Sequence, residues 1–400
     1  MASSLTRAAP LVGSLGALCA VSAHGAGTID IDDTRWVSVG AGIRAGMSLV
    51  DDGAPSGEDD STSFDIQNLR LYVSGQAHEN VRFVFNTECS SCVFGTGDPF
   101  DGGKDIDVLD AIAQIELSPA FNVWIGRMLT PADRIEMNGP FYGLSWNQYT
   151  VPLLPSDQFG QAGLMGRDDG VTVWGKVGRF QYSLGLFDGI DGGPNQDDNL
   201  LYASRFAFNF GDMEINPGYY TSSTYFGEAG KILTLGLSFQ QQSDGTGTAA
   251  QPGDFSATIV DFLYEQPLGR GAAVTFEAEY KTFDAELTPA ALADPTCFCL
   301  FDGDAYFATF AYLLPGTGGS DSLSAVRALH EERADRRARQ QPDRGRRELR
   351  DPRAQRAPQP ELHERRRERV RLPRRGHGQA LLRRANPDLI QVDEFSWSEG

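Results

Sequence analysis

Two cysteine pairs are the first residues whose types and spacing could do chemistry. Cys89-Ser-Ser-Cys92 has the spacing of half a tetrahedral zinc site, and Cys297-Phe-Cys299 sets two thiols one residue apart. Zinc wants four convergent ligands, and no histidine lies near either pair: before residue 326 the histidines are His24 and His78. In an oxidising compartment each pair is expected to close as a local disulfide, a staple within a loop. No nucleophile is spaced with a base and an orienting acid. No enzyme activity, metal or cofactor is therefore expected.

Charge is the remaining chemistry, and it is unevenly spread. Residues 1–325 hold 15 Lys+Arg against 41 Asp+Glu, whereas residues 326–400 hold 20 against 13. So acidic a body argues against nucleic acid as a partner, because phosphate binding needs cations to release counterions. At the start, Arg7, the apolar run 8–21 and the small residues Val21-Ser22-Ala23 form a signal peptide over 1–23, implying Sec-type export. Fourteen apolar residues are too few to span a bilayer as a helix.

The elements that must position these charges read as strands. Leu69, Leu71 and Val73 alternate with Asn68, Arg70 and Tyr72; Leu233, Leu235, Leu237 and Phe239 alternate with Thr234, Gly236, Ser238 and Gln240. Leu109, Ala111, Ala113, Ile115 and Leu117 stand against Asp110, Gln114 and Glu116, and Val274, Phe276, Ala278 and Tyr280 against Thr275, Glu277, Glu279 and Lys281. Period two over about ten residues is a strand with two unlike faces. Twelve such strands are expected, near 34–50, 64–76, 81–89, 106–117, 121–128, 171–177, 180–188, 200–210, 231–241, 255–265, 271–283 and 305–314.

A soluble sandwich and a membrane barrel both alternate, and the connections separate them. Tight turns at 78–80, 118–121, 177–179 and 267–271 interleave with long Gly-, Asp- and Pro-rich segments at 51–62, 89–105, 129–170, 189–199, 242–254 and 284–304. Only 211–230 breaks the rule, as a long connection on the short-turn side. Short turns on one rim and long loops on the other describe a transmembrane barrel in the outer membrane of a bacterium. The expected fold is all-β, an antiparallel transmembrane β-barrel with its apolar faces on lipid. Alternation then assigns Arg44, Arg70, Arg82, Lys176, Arg205 and Lys281 to the lumen, with Glu88, Asp110, Glu116, Asp261, Glu277 and Glu279.

After residue 320 the alternation stops. The stretch 327–350 contains nine arginines and no lysine, the signature of a GC-rich gene read out of frame. Shifted by one base, permitted codons give four more alternating strands, which with twelve makes sixteen. The expected organisation is a signal peptide at 1–23, an incomplete barrel at 24–320, and a disordered, out-of-frame Arg-rich tail at 321–400. Twelve strands alone would leave two open edges in hydrocarbon, where each unpaired backbone group costs several kcal/mol.

The run 166–175 (GRDDGVTVWG), with Phe180-Gln181-Tyr182, Phe187-Asp188-Gly189, Val123-Trp124-Ile125-Gly126-Arg127, Thr130-Pro131 and 68–75 (NLRLYVSG), resembles the phosphate-selective porin O and P family over roughly 30–320. The resemblance implies a homotrimeric, sixteen-stranded outer-membrane porin with one loop folded into the channel. By position that constriction loop is 129–170, where Tyr142, Trp146 and Tyr149 would pack on the inner wall. Asp133, Arg134 and Glu136 with Arg167, Asp168 and Asp169 would form a mixed-charge constriction. The expected function is passive diffusion of small hydrophilic solutes or anions, such as phosphate or polyphosphate. The charges depart from a phosphate channel, which would be lined by Arg and Lys rings. The alternative is a secreted or surface β-rich binding or adhesion protein, soluble without detergent.

Overall fold

The computed structural model describes residues 19–50, 53–54, 56–57, 59–89, 106–138, 143–144, 148–149, 153–158, 163–214, 219–315, 322–334 and 395–398. Its strands are β1 (Cys19–Asp30), β2 (Trp36–Val50), β3 (Ser61–His78), β4 (Val81–Cys89), β5 (Ile106–Ser118), β6 (Phe121–Leu129), β7 (Arg167–Val177) and β8 (Phe180–Phe187). They continue with β9 (Leu201–Asn209), β10 (Ile232–Thr248), β11 (Gln251–Gly269), β12 (Ala272–Ala285), β13 (Gly303–Leu313), β14 (Ser322–Ala334) and β15 (Phe395–Ser398). Two single-turn helices, α1 (Arg134–Met137) and α2 (Pro289–Ala293), lie in connections. Consecutive strands pair antiparallel from β1 to β15, and the sheet curls into a ring. The twelve expected strands are β2 to β13.

Closure rests on three residue pairs. Cys19, Ala20 and Val21 of β1 lie opposite Phe395, Ser396 and Trp397 of β15, and this pair is parallel. An odd number of strands in an otherwise antiparallel ring forces one parallel neighbour. These three β1 residues fall inside 1–23, the segment read as an export signal, so the strand begins earlier than the expected barrel start.

Alternation fixes which way each face points, and the polarity is reversed relative to a soluble protein. On β10 Thr234, Ser238 and Gln240 are buried while Leu235, Leu237 and Phe239 are exposed; on β12 Thr275, Glu277, Glu279 and Lys281 are buried while Phe276 and Tyr280 are exposed. Leu69 and Leu71 on β3, Leu184 and Leu186 on β8, Tyr202 and Phe208 on β9 and Phe310 on β13 extend the same outer belt. In water such rows would forfeit the gain of burial, about 25 cal/mol for each Å2. In a bilayer they are the matched face.

Three departures from the expected elements have physical causes. Leu109 is buried and not on the outer face, because it is the extra residue of a bulge: Asn86 pairs with Asp110 and Thr87 with Val108. Bulges re-aim side chains in this way. Next, 242–254 is not a long loop. Here β10 and β11 continue as a hairpin to the turn Ala249-Ala250, capped by a bridge between Gly247 and Phe298. Beyond the lipid both faces meet polar surroundings, so no apolar period marks the extension. Finally, part of the expected tail is strand: β14 pairs with β13 over eleven positions. The free edge of β13 needs backbone partners whatever side chains they bring. Residues 335–394 of that tail lie outside the described residues.

Candidate pore constriction

After β6 the chain turns inward. Thr130 donates its N–H to Gly166 O at 3.1 Å and its hydroxyl to Met165 O, tying the two ends of the loop together. The Ala132 carbonyl accepts Ser238 Oγ at 2.7 Å and Arg205 Nη1 at 3.0 Å, which holds the loop on β9 and β10. Asp133 caps the one-turn helix α1, accepting the Glu136 N–H at 2.8 Å on Oδ1 and Lys281 Nζ at 2.6 Å on Oδ2.

A second segment enters from the other rim. The connection from β9 to β10 was expected only as a long inner turn. Instead Glu214, Tyr219 and the run Thr221, Ser222, Ser223, Thr224 and Tyr225 are buried inside the ring. Arg134 joins the two segments with a fork, Nη1 to Glu214 Oε2 at 2.9 Å and Nη2 to Glu214 Oε1 at 2.7 Å, and Nη1 also reaches Ser222 O at 2.8 Å. Thr221 donates its N–H to Met137 O and its hydroxyl to Arg134 O, and Asn138 Nδ2 donates to Ser223 Oγ at 2.6 Å. Burial works against the Arg134 charge, yet Glu214 holds its proton more tightly than usual, and Arg134 in turn keeps Glu214 below the ordinary carboxyl range despite burial.

Around this junction lies one ionic cluster on β9 to β12. Arg205 of β9 bridges to Asp261 of β11 across β10, and Arg134 Nε stands 3.5 Å from the same carboxylate. Gly236 permits the bridge. It sits between Ala207 and Asp261 in the ladder, and a Cβ there would lie 2.5 Å from Arg205 Nη2 and from Asp261 Oδ2. Lys281 contacts Asp133 and Glu279, at 2.6 and 3.1 Å. Tyr149 donates to Glu279 at 3.2 Å, with Lys281 4.7 Å from its ring centroid. Glu277 takes Ser223 Oγ at 3.0 Å on one oxygen. Among the described residues Glu136 is held by Ser156, whose N–H it accepts, and burial pushes its carboxyl up to about 7.

A second ionic cluster sits on β3, β4, β5 and β7. Arg70 contacts Glu88 at 2.6 Å and Asp157 at 2.8 Å; Arg167 contacts Asp110 at 3.0 Å and the same Asp157 oxygen at 2.6 Å. Asp157 comes from the inward loop, in a single 3-10 turn, and pins that loop to two strands. Its carboxyl lies below the ordinary range because Arg167 and Arg70 outweigh burial. Tyr220 from the opposite inward segment donates to Asp110 at 3.1 Å.

The residues assigned to the lumen fall in two groups. Arg44, Arg70, Asp110, Arg205, Glu277, Glu279 and Lys281 are buried within the ring. Arg82, Glu116 and Lys176 line a cavity of about 370 Å3 near the short-turn rim, where Arg82 and Glu116 pair at 2.8 Å. Among the expected loop residues, Asp133, Arg134, Glu136 and Tyr149 are buried in it. Arg167, Asp168 and Asp169 are not loop residues: they begin β7, and Asp169 is exposed, 3.9 Å from Arg127. Strand pairing with β6 from Leu129 to Asn122 captures them. Tyr142 and Trp146 lie outside the described residues, as does Cys92. Cys297 and Cys299 form a disulfide in the β12–β13 connection. Among the described residues, no three His, Cys, Asp or Glu are grouped to hold a metal ion.

Residue reading missed Asp157, Glu214, Glu265 and the 219–225 run. The available signals were the length of the connection and the aromatic, hydroxyl-rich sequence Tyr219-Tyr220-Thr221-Ser222-Ser223-Thr224-Tyr225, on a rim where the turns after β3, β5, β7 and β11 have two residues.

No family model matches the chain, and no curated protein does. Among solved structures it is similar to an anion-selective porin from Comamonas acidovorans, at 12% identity over 77% of this chain and 79% of that one, with a TM-score of 0.43. It is also similar to OmpT, an outer membrane protein of Vibrio cholerae, at 11% identity over 75% of this chain and 88% of that one, with a TM-score of 0.36.

Proposed function

We propose that this chain is an outer-membrane channel for passive diffusion of small hydrophilic solutes, and that it works as a homotrimer. The observation that carries the reading is the reversed polarity: Leu, Phe and Tyr rows face outward while Arg, Lys, Asp and Glu face the inside of a ring whose strands are antiparallel except where β1 meets β15. Interior charges would act on a passing solute through the field of a narrow, partly dry space. The loop from Thr130 to Gly166 and the segment from Glu214 to Tyr225 would set the size limit between them. No step of chemistry is required of any residue, and the proposal is a channel and not an enzyme.

The proposal includes a frame error after about Gly318. Its support is the parallel β1–β15 contact, which an even, fully antiparallel ring would not need. Resequencing the gene tests it: an inserted or missing base near Leu323 is expected, and an error-free read of the present frame would remove it.

The channel reading is tested by refolding the frame-corrected protein into detergent and then a planar bilayer; in its present frame the chain, with its charged tail, is not expected to insert as a conducting pore. Heat-modifiable gel migration and stepwise current are expected. A chain that stays monodisperse without detergent and passes no current would instead be the soluble β-rich binding protein. Mass measurement of the detergent complex tests the homotrimer.

A further inference from the structure

The interior is not balanced in charge. Among the described residues, eleven carboxylates are buried: Glu88, Asp110, Asp133, Glu136, Asp157, Asp168, Glu214, Asp261, Glu265, Glu277 and Glu279. Six cations are: Arg44, Arg70, Arg134, Arg167, Arg205 and Lys281. The excess is concentrated where the two inward segments meet. There Asp133, Glu136, Glu214, Asp261, Glu277 and Glu279 face only Arg134, Arg205 and Lys281.

Two of these carboxylates are satisfied by neutral donors. Glu136 takes a backbone N–H from Ser156, and Glu277 takes the Ser223 hydroxyl. Glu277 Oε2 has no hydrogen-bond partner among the described residues, although the residue is 1% exposed. Its charged neighbours are Arg134, Asp261 and Asp133. Glu265, four ladder positions from Asp261 on β11, is likewise held by Thr224, Thr275 and backbone N–H groups with no cation in contact among the described residues. A buried carboxylate oxygen with nothing bound to it is costly, and a cation passing beside it would remove that cost.

We infer that the pore prefers small cations, with Glu277 and its carboxylate neighbours on β11, β12 and α1 forming the selective surface. Rings of Asp and Glu select cations by replacing part of their hydration with negative charge. Arg70, Arg134, Arg167 and Arg205 each touch a carboxylate, which leaves little of their positive charge for an anion. Of the paired carboxylates, Glu214 and Asp261 are each gripped on both oxygens by one arginine, while Glu88, Asp110 and Asp157 each take arginine on one oxygen. This inference rests on the channel reading above and names the class of solute that channel admits.

The test is the reversal potential of the frame-corrected protein in a planar bilayer across a KCl gradient. The expected sign is that of potassium preference, with potassium permeating severalfold faster than chloride. Glu277→Gln, nearly isosteric, is expected to move the ratio most of the way toward unity while stepwise current persists. Glu136→Gln, on the loop and not on a strand, is expected to move it in the same direction and serves if the first variant does not fold. Chloride preference, or no preference, would overturn the inference and leave the channel standing. An unchanged ratio in both variants would overturn the assignment to this surface. Absence of any current would overturn the channel reading itself and this inference with it.

Discussion

The two ionic clusters inside the ring use the same residue types to different ends. In the cluster on β3, β4, β5 and β7, Glu88, Asp110 and Asp157 each touch an arginine, and Asp157 is shared by two. On β9 to β12 with α1, six carboxylates share three cations, and two of them touch none. The first cluster is a latch: its charges are spent on fastening the inward loop to the wall. The second also fastens, through Arg134, but leaves charge over. Both clusters receive both inward segments, and what the segments bring decides the difference: Asp157 and a neutral Tyr220 hydroxyl reach the first, whereas Asp133, Glu136 and a further carboxylate, Glu214, reach the second.

The largest contrast between the clusters should come from removing one cation. Arg134→Met strips Glu214 of its fork and leaves Asp261 with Arg205 alone. Breaking a buried pair from one side costs about 3–5 kcal/mol, read as a lower urea midpoint for the refolded barrel. Asp157→Asn is expected to cost less, about 1–3 kcal/mol, because Arg70 keeps Glu88 and Arg167 keeps Asp110. Equal losses would erase the distinction.

Next in size is Gly236→Ala. The new methyl would enter the space the Arg205–Asp261 bridge occupies, and overpacking of this kind costs about 1–3 kcal/mol. The same change at a position with no bridge above it should cost far less, so the comparison is internal to β10.

A smaller effect follows from acidity. Glu136 ionises around pH 7 because burial raises its carboxyl from 4.5. Above that pH it is charged and adds to the acidic surplus; below it the charge is lost. Cation preference should therefore weaken as pH falls through about 7, and Glu136→Gln should flatten that step. A preference that grew on acidification would reverse the sign and contradict the role given to this carboxylate. Smallest of all is reduction of Cys297–Cys299. The bond spans two residues and constrains little unfolded chain, so the cost should fall well below the roughly 3 kcal/mol of a fifteen-residue loop.

Much of the wall was legible in the sequence because lipid imposes a strict rule. Every second residue must be apolar across the bilayer, and β2 to β13 obey it in runs such as Leu233 to Phe239. Where lipid is absent the rule lapses. The outer ends of β10 and β11, rich in Gly, Ser, Asp and Thr, carried no period and passed for a loop. The strand β1 was hidden by small residues, Ala23, Gly25, Ala26 and Gly27, and by its overlap with the apolar export segment. The bulge at Leu109 turned one apparently lipid-facing residue inward.

The constriction was legible only in part, for a different reason. Period two says which face a residue occupies and nothing about its partner. It put Arg70, Arg205 and Lys281 inside, but their carboxylate partners Asp157, Asp261 and Asp133 come from distant parts of the chain, two of them from the inward loop or its helix cap. The segment 210–231 followed neither strand nor helix periodicity, because its residues answer to a polar interior on every side. The unusual length of that connection and its aromatic, hydroxyl-rich sequence pointed to it.

The central claim is that neighbouring residues on one strand face opposite solvents. Single cysteines at Thr234, Leu235, Leu237, Ser238, Phe239 and Gln240 in refolded, vesicle-inserted protein can carry nitroxide labels, and their relaxation by dissolved oxygen and by a water-soluble paramagnetic complex can be compared. Labels at Leu235, Leu237 and Phe239 should respond to oxygen in the lipid, and those at Thr234, Ser238 and Gln240 should not. If the three apolar positions were shielded from both agents, they would be packed in a protein core, and the barrel with its inner charges would have to be abandoned.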